Sequence, residues 1–358
     1  MNIDFHYGVV YAMARLGGLS VGDATTVAHA CQYIDDSTTP GVLQFRDGEL
    51  FERFAAAHSM ADYHNVYEQG NRLTWVPFHF LPAGQGETLE EKAICRPDSD
   101  VAREVVRHTL RLSPATGNRL HRLGVTLHTY VDTWAHQGFS GIESDYNRVS
   151  RLEAEDCTPE NWLQHLERAT AKLVKYAETA VLSRAFPLGH GAALHYPDQP
   201  WAVWSYINGK GEKVPRDNLP DFIKAANMAC RVVQAFVAGR TDFEARPGLT
   251  VAQEEALTTL LRTNRDDDVE ARLKGIGKAI ADGTLPGLKE VLPNYIAKGK
   301  GSWKYLATEI ESDGDGHVKP VWSEGFEQSD YRKFHDAVKE HRFVVNQQVL
   351  PQIGLRLA

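Results

Sequence analysis

Residues 123–139 read LGVTLHTYVDTWAHQGF. His128, Asp132 and His136 stand at i, i+4 and i+8, with Leu127, Tyr130, Val131 and Trp134 between and around them. Helical residues four apart differ by about 40° in direction and about 6 Å along the axis. All three polar side chains therefore share one side of a helix, predicted from about Ala115 to Gln137 and stopped by Gly138. Their apolar surround predicts burial, and buried ionisable groups must be paired or hold a metal. Residues at i and i+4 can ligate one ion, as in the histidine pairs of zinc helices. Three at this spacing extend over about 12 Å, too far for three equivalent ligands of one ion. A bridging Asp132 between two ions fits better, and ions about 3.5–4 Å apart suit phosphoester chemistry. A structural hydrogen-bond network of two histidines and an aspartate is the competing reading.

Outward from this segment the chain keeps a helical texture. Apolar residues recur at helical spacing over 6–18, ending at Gly17-Gly18, and Asp23 could cap a second helix through VAHACQYIDD. PGVLQFRDGEL predicts a hairpin or loop, and FERFAAAHSMADYHNVYEQG a helix. WVPFHFLP, with aromatics between two prolines, predicts an extended or irregular segment. Further helices are expected over 99–112, 158–185 and 217–239, and a Gly/Pro-rich loop, LGHGAALHYPDQPW, over 188–201. Beyond Gly248 come the shorter helical pieces TVAQEEALTTLLRT, DVEARLKGIGKAIADG and LKEVLPNYIAKG, a DGDGH turn, and a last helix over 329–350. The expected fold class is mainly α, a multi-helix bundle with long loops. Residues 1–245 form its metal-binding core and 246–358 a helical subdomain or elaboration.

The chain has 358 residues, 42% hydrophobic and 24% charged, which is the mix of a folded globular protein. Its net charge of −8 argues against duplex nucleic acid as a partner, because such binding needs concentrated Lys and Arg. Four cysteines, none in a CxxC pair, exclude a zinc ribbon and make a disulfide framework improbable. The start of the chain lacks a standard secretory leader, and no run of about 18 apolar residues predicts a membrane span. The expected location is the cytoplasm, or outside it by a route that needs no cleaved leader. No GxGxxG, P-loop or GxSxG is present, so nucleotide-cofactor and serine-hydrolase chemistry lack support.

Histidine is abundant, with 15 residues. His79 lies among prolines and aromatics, where ligation competes with burial on a backbone hydrogen bond. His6, between Phe5 and Tyr7, is either a packed ring or a ligand at a helix start. Asp35 and Asp36 end a helix, where carboxylates oppose the dipole and a cation is welcome. His29 and His64 could orient ligands. Glycines flanking His190 allow close backbone approach, so His190 and His195 are candidate ligands or phosphate contacts, with Asp198 behind them.

LGVTLHTYVDTWAHQGF resembles the signature helix of zinc-dependent phospholipases C and their relatives, which include Het-C-type proteins and single-strand-specific nucleases. The fit is closer to the Het-C-like version and to bacterial members of that superfamily. In the phospholipase and nuclease branches the last spacing is longer. VPFHFLP resembles the family's His-Phe-aromatic-Asp-Pro segment, with His79 matching and the Asp absent. ACQYIDD resembles its acidic helix end, with Asp35 or Asp36 at the bridging carboxylate. His6 stands where the family's N-terminal helix donates a ligand. The resemblance covers roughly residues 1–200. It implies two or three zinc ions, with manganese or iron as substitutes, held by His6, Asp36, His79, His128, Asp132 and His136. The family's closing histidine and acid sit on a helix, a spacing the loop does not match, so His190 and His195 join the expected ligands from the loop's own residues. Asp35 or Asp36 would hold or deprotonate the attacking water, and Trp75, Phe78, Phe80, Trp134 and Trp201 could wall a channel for a small-molecule or lipid phosphoester. The expected activity is phosphoester hydrolysis. Two alternatives remain: a non-catalytic, metal-pinned effector or interaction protein, and an HD-like nucleotide phosphohydrolase. The second needs an adjacent His-Asp pair, which occurs only at His335-Asp336.

Overall fold

The computed structural model describes residues 1–58, 68–158, 189–312 and 318–356. A π-helical turn, Asp4–Val9, runs into α1 (Val10–Leu16), followed by α2 (Val21–Asp36). A hairpin of β1 (Gly41–Gln44) and β2 (Leu50–Arg53) precedes α3 (Glu68–Phe78), α4 (Leu89–Ala93), α5 (Asp100–Leu110) and α6 (Arg119–Ala135). Then come β3 (Val149–Ala154), β4 (Val203–Asn208), β5 (Lys213–Asp217) and α7 (Asn218–Val237). The chain continues through α8 (Val251–Thr263), α9 (Val269–Asp282), α10 (Trp303–Thr308), α11 (Glu324–Gln328) and α12 (Asp330–Phe343). A second π-helical turn, Val344–Val349, follows α12 directly.

α6 is the axle. Every residue from His121 to Ala135 is buried, because α2, α5, α7 and α12 all pack on this one helix. A helix covered on every side can keep polar residues only where they find partners. The closest approach is at Gly124. A Cβ there would lie 2.3 Å from the Val27 carbonyl oxygen and 2.6 Å from the Ala30 Cβ. These are backbone and short-side-chain atoms that cannot swing away. Gly124→Ala should therefore destabilise the fold by about 1–3 kcal/mol through overpacking, although alanine gains about 1 kcal/mol in helix propensity. Thermal unfolding measures this; a stabilised variant would show that α2 does not approach α6 so closely.

One apolar cluster runs from Met1 and Phe5 through Leu127 and Phe222 to Ile280, Val349 and Leu355, so residues beyond 245 pack on the same core as the first helices. A second gathers Tyr33, Phe78 and Val125 with Trp303, Phe326 and Phe334. The four cysteines are free thiols, all buried. Among the described residues no helix is long and apolar enough to cross a membrane.

The mainly α, multi-helix-bundle expectation is corrected. Helix makes up 53% and strand 10% of the structure, and five strands form two antiparallel sheets, β1-β2 and β3-β4-β5, among the described residues. The three-stranded sheet escaped a search for helical periodicity because one of its two pairings is long-range: Val149 pairs with Asn208 and Ala154 with Trp204. Its other half is local: an NGKGE turn joins β4 to β5, and Val203–Asn208 alternates in burial once paired.

Three local expectations also change. The predicted helix from Phe51 begins instead as β2, because its residues pair with β1. LKEVLPNYIAKG forms no helix; Pro293 removes a donor within it. Only the first half of WVPFHFLP departs from the expected irregular segment: residues 79–82 are irregular, and Trp75–Phe78 end α3, with Pro77 in the last turn. That turn survives because the Pro77 carbonyl accepts from His341 Nε2 at 2.9 Å and from the Thr129 hydroxyl at 3.2 Å. The helix over 158–185, the DGDGH turn and His64 lie outside the described residues.

His29 and His335 are buried without partners for one ring nitrogen each, His29 Nε2 and His335 Nδ1. Burial, the largest cause, lowers both to about 3. The unfolded chain, with an ordinary histidine pKa near 6.5, takes up these protons first as pH falls. Stability is thus complete above about pH 6.5 and lost between there and about pH 3, at up to ~1.4 kcal/mol per pH unit for each ring. His335→Gln should lose about 2 kcal/mol less than the parent between pH 7 and pH 5 in urea unfolding with chelator present. Equal losses would remove His335 from this account.

Candidate metal centre

Four elements deliver the site. The N-terminal π-turn brings His6, the end of α2 brings Asp35, the residue after α3 is His79, and α6 supplies His128, Asp132 and, just past its end, His136. The loop beyond residue 188 adds His190 and Asp198. Their donor atoms fall into three sets, His6/Asp35/His128, His79/His128/Asp132 and His136/His190/Asp198, within each of which they lie no more than 4.8 Å apart. The described part of the chain therefore contains buried His/Asp groups that could hold a metal ion.

Backbone carbonyls set the direction of the rings. His128 Nδ1 lies 2.8 Å from the Cys31 carbonyl, His79 Nε2 lies 2.9 Å from that of Ala56, and His136 Nδ1 lies 2.8 Å from that of His79. A carbonyl can only accept, so each of these nitrogens must carry the hydrogen. The opposite nitrogen of each ring faces inward, where a ligand atom would be needed. His128 Nε2 and His79 Nδ1 face each other at 3.2 Å. Asp132 Oδ2 stands 3.2 Å from the first and 3.5 Å from the second. It is sealed from solvent and makes no hydrogen bond. Three potential ligand atoms thus converge, an arrangement that a cation would stabilise.

The other Asp132 oxygen is occupied. Oδ1 accepts from the Met1 ammonium at 2.6 Å and from His6 Nε2 at 3.0 Å. The same ammonium lies 3.2 Å from Asp198 Oδ1, and His6 Nδ1 lies 3.1 Å from Asp35 Oδ2. Burial alone would raise the Asp132 pKa, but His136, the Met1 ammonium, His6 and His128 together drive it well below the ordinary carboxylate range. Asp35 is held at about 2: burial pushes it up, and His128 and His6 more than reverse that. Burial lowers His128 and His190 to about 4, so both rings are neutral at pH 7. His6 goes the other way; burial opposes its charge, yet Asp132 and the hydrogen bonds to Asp132 and Asp35 raise it. A ring bonded on both sides to carboxylates must shed its extra proton before it can ligate.

Seven of the residues expected from the sequence meet here: His6, Asp35, His79, His128, Asp132, His136 and His190. Asp36 stands apart from the three sets. Its Oδ2 accepts from the Tyr295 hydroxyl at 2.7 Å and from Gln32 at 3.3 Å, because successive helical residues point about 100° apart. His195 is exposed and packs its ring on Tyr196; Asp198, read as standing behind it, holds the third set instead. His29 stacks on Trp303 with ring centres 3.9 Å apart and touches no member of the three sets. His335 lies among Phe51, Tyr331 and Phe334, and Asp336 pairs with Arg332 at 2.8 Å, both away from the site.

A cavity of about 540 Å³ opens beside the three sets. Trp75 and Phe80 line it, as does His58, a residue outside the expected ligand set. Phe78, Trp134 and Trp201 do not line it; the first two are core residues and the third lies beneath Arg272. Glu270 and Tyr295 complete the wall from the far end of the chain. Neither they nor the Met1 amine follow from the spacing of the histidines.

Fold and site together define a mixed helix-and-sheet protein built around buried histidine–aspartate groups that could hold a metal ion. The chain belongs to DUF6765, a family of unknown function whose profile matches residues 1–349. No curated protein and no solved structure is similar to the chain.

Proposed function

We propose that the protein is a metal-dependent phosphoesterase that holds two or three zinc-type ions in the three His/Asp sets. The observation that carries this reading is the convergence of His79 Nδ1, His128 Nε2 and Asp132 Oδ2 within 3.2–3.5 Å of one another. Imidazole and carboxylate donors suit zinc, and manganese or iron could replace it. When bound, such ions supply Lewis acidity toward a phosphoryl oxygen and make water acidic near neutral pH. His128 belongs to two sets, and Asp132 presents one oxygen to each side, so the protein can hold neighbouring cations rather than one closed ion. Asp35, with its side chain one-third exposed toward the cavity, is placed to orient or accept a proton from water. Trp75 and Phe80 offer an apolar flank for a lipid or other organic phosphodiester.

Elemental analysis of protein purified without chelators, paired with a bis(p-nitrophenyl) phosphate assay, tests the reading. Two or more ions per chain with chelator-sensitive hydrolysis is the expected result. A single ion that chelator cannot remove, with no hydrolysis, would leave a structural pin in its place.

A further inference from the structure

A second cleft, of about 740 Å³, lies among α3, α5, α6 and α12 and shares no lining residue with the metal centre. At its floor is Arg122, only 2% exposed. Its Nη1 donates to the Ala337 carbonyl at 3.1 Å. Among the described residues Nε and Nη2 make no hydrogen bond, and the Arg122 side chain lines the cleft. Among the described residues Arg122 has no ion-pair partner. Burial lowers its pKa to about 10, against a partial opposing effect from Glu340.

A guanidinium buried without a counter-ion is costly, and a bound anion removes that cost. The nearby acids are already engaged: Asp336 by Arg332 at 2.8 Å, and Glu340 by the Asn118 amide at 3.1 Å. Lys339 and Arg342 add positive charge at the mouth. Phe54, Leu73, Leu112 and Val344 supply an apolar wall, with Phe343 left 56% exposed at the rim, and His108, Asn346 and Gln347 add neutral polar groups. The volume is that of an ordinary small-ligand pocket.

We propose that this cleft is a second binding site, for an amphipathic carboxylate whose head is gripped side-on by Arg122 Nε and Nη2 and whose hydrocarbon lies along Phe54, Leu112 and Phe343. Two parallel N–H donors match the two oxygens of one carboxylate, and a single buried cation balances a single negative charge. The site is independent of the metal-centre reading and stands or falls without it.

Isothermal titration of the full-length protein with decanoate, decan-1-ol and, at pH 8, dianionic decyl phosphate tests it. Decanoate should bind one per chain and at least tenfold more tightly than the alcohol or the phosphate. Arg122→Gln, checked for native circular dichroism, should erase the preference for decanoate over decanol. Should that variant fail to fold, Phe343→Glu, at an exposed position, should still weaken decanoate at least tenfold by placing a like charge at the rim. Equal binding of acid and alcohol, tighter binding of the phosphate, no binding at all, or an unchanged decanoate affinity in Phe343→Glu would each overturn the assignment.

Discussion

Asp132→Asn is expected to lose at least nine-tenths of its bound metal, and phosphodiester hydrolysis with it. The amide keeps the shape of the side chain but removes its charge and turns one acceptor into a donor. That donor would point either at the Met1 ammonium and His6, or at the inward nitrogens of His79 and His128. In the first case two donors oppose each other; in the second the amide occupies the place of a cation. Outer partners of metal ligands alone are worth about 10–100-fold in affinity, so the central carboxylate should be worth more. The apo protein should survive, because the four histidines around Asp132 are needed neutral only when they ligate. Metal content by mass spectrometry, with the far-ultraviolet spectrum as control, decides it. A folded Asp132→Asn protein with full metal and full activity would reject the site.

Arg272→Ala should cost about 3–5 kcal/mol of folding stability, the penalty for breaking a buried ion pair from one side. Arg272 and Asp4 are each only 2% exposed. Arg272 Nε donates to Asp4 Oδ2 at 2.9 Å and its Nη1 to the Asp266 carbonyl at 2.6 Å. Burial already raises the Asp4 pKa, and Arg272 is the first force opposing it. Without the guanidinium, Asp4 would be stranded in the core two residues from His6, so metal retention should fall as well. The paired change Asp4→Asn with Arg272→Met should recover much of the loss, since apolar or neutral replacements of both partners are often tolerated. Urea unfolding of the three variants measures this. A single Arg272→Ala variant within 1 kcal/mol of the parent would show that α9 does not anchor the N-terminal turn.

The histidine–aspartate row of α6 was legible because its information is local. His128, Asp132 and His136 share a side by the geometry of any α-helix, and their apolar neighbours announced the burial that α6 shows. His6, His79 and His190 could be named as candidates because a histidine among aromatics or glycines is unusual company, yet nothing local placed them together. The choice of Asp35 over Asp36 depended on how α2 is turned against α6, which the contact at Gly124 fixes. The choice of Asp198 over His195 depended on a short 3-10 turn, Tyr196–Asp198, that leaves one side chain in and the other out. The small sheet was missed for a related reason, since β3 finds its partner across a long stretch of chain.

The amino-acid order alone carries the row of His128, Asp132 and His136 on one side of α6 and the burial of that row, since both follow from a 3.6-residue period and side-chain chemistry. The tertiary structure alone decided which carbonyl holds each ring, and so which nitrogens face inward. It also decided that the Met1 amine, Asp198 and the wall carrying Glu270 and Tyr295 close around them. Those are contacts between residues tens to hundreds of positions apart, and no local period encodes the folding that joins them.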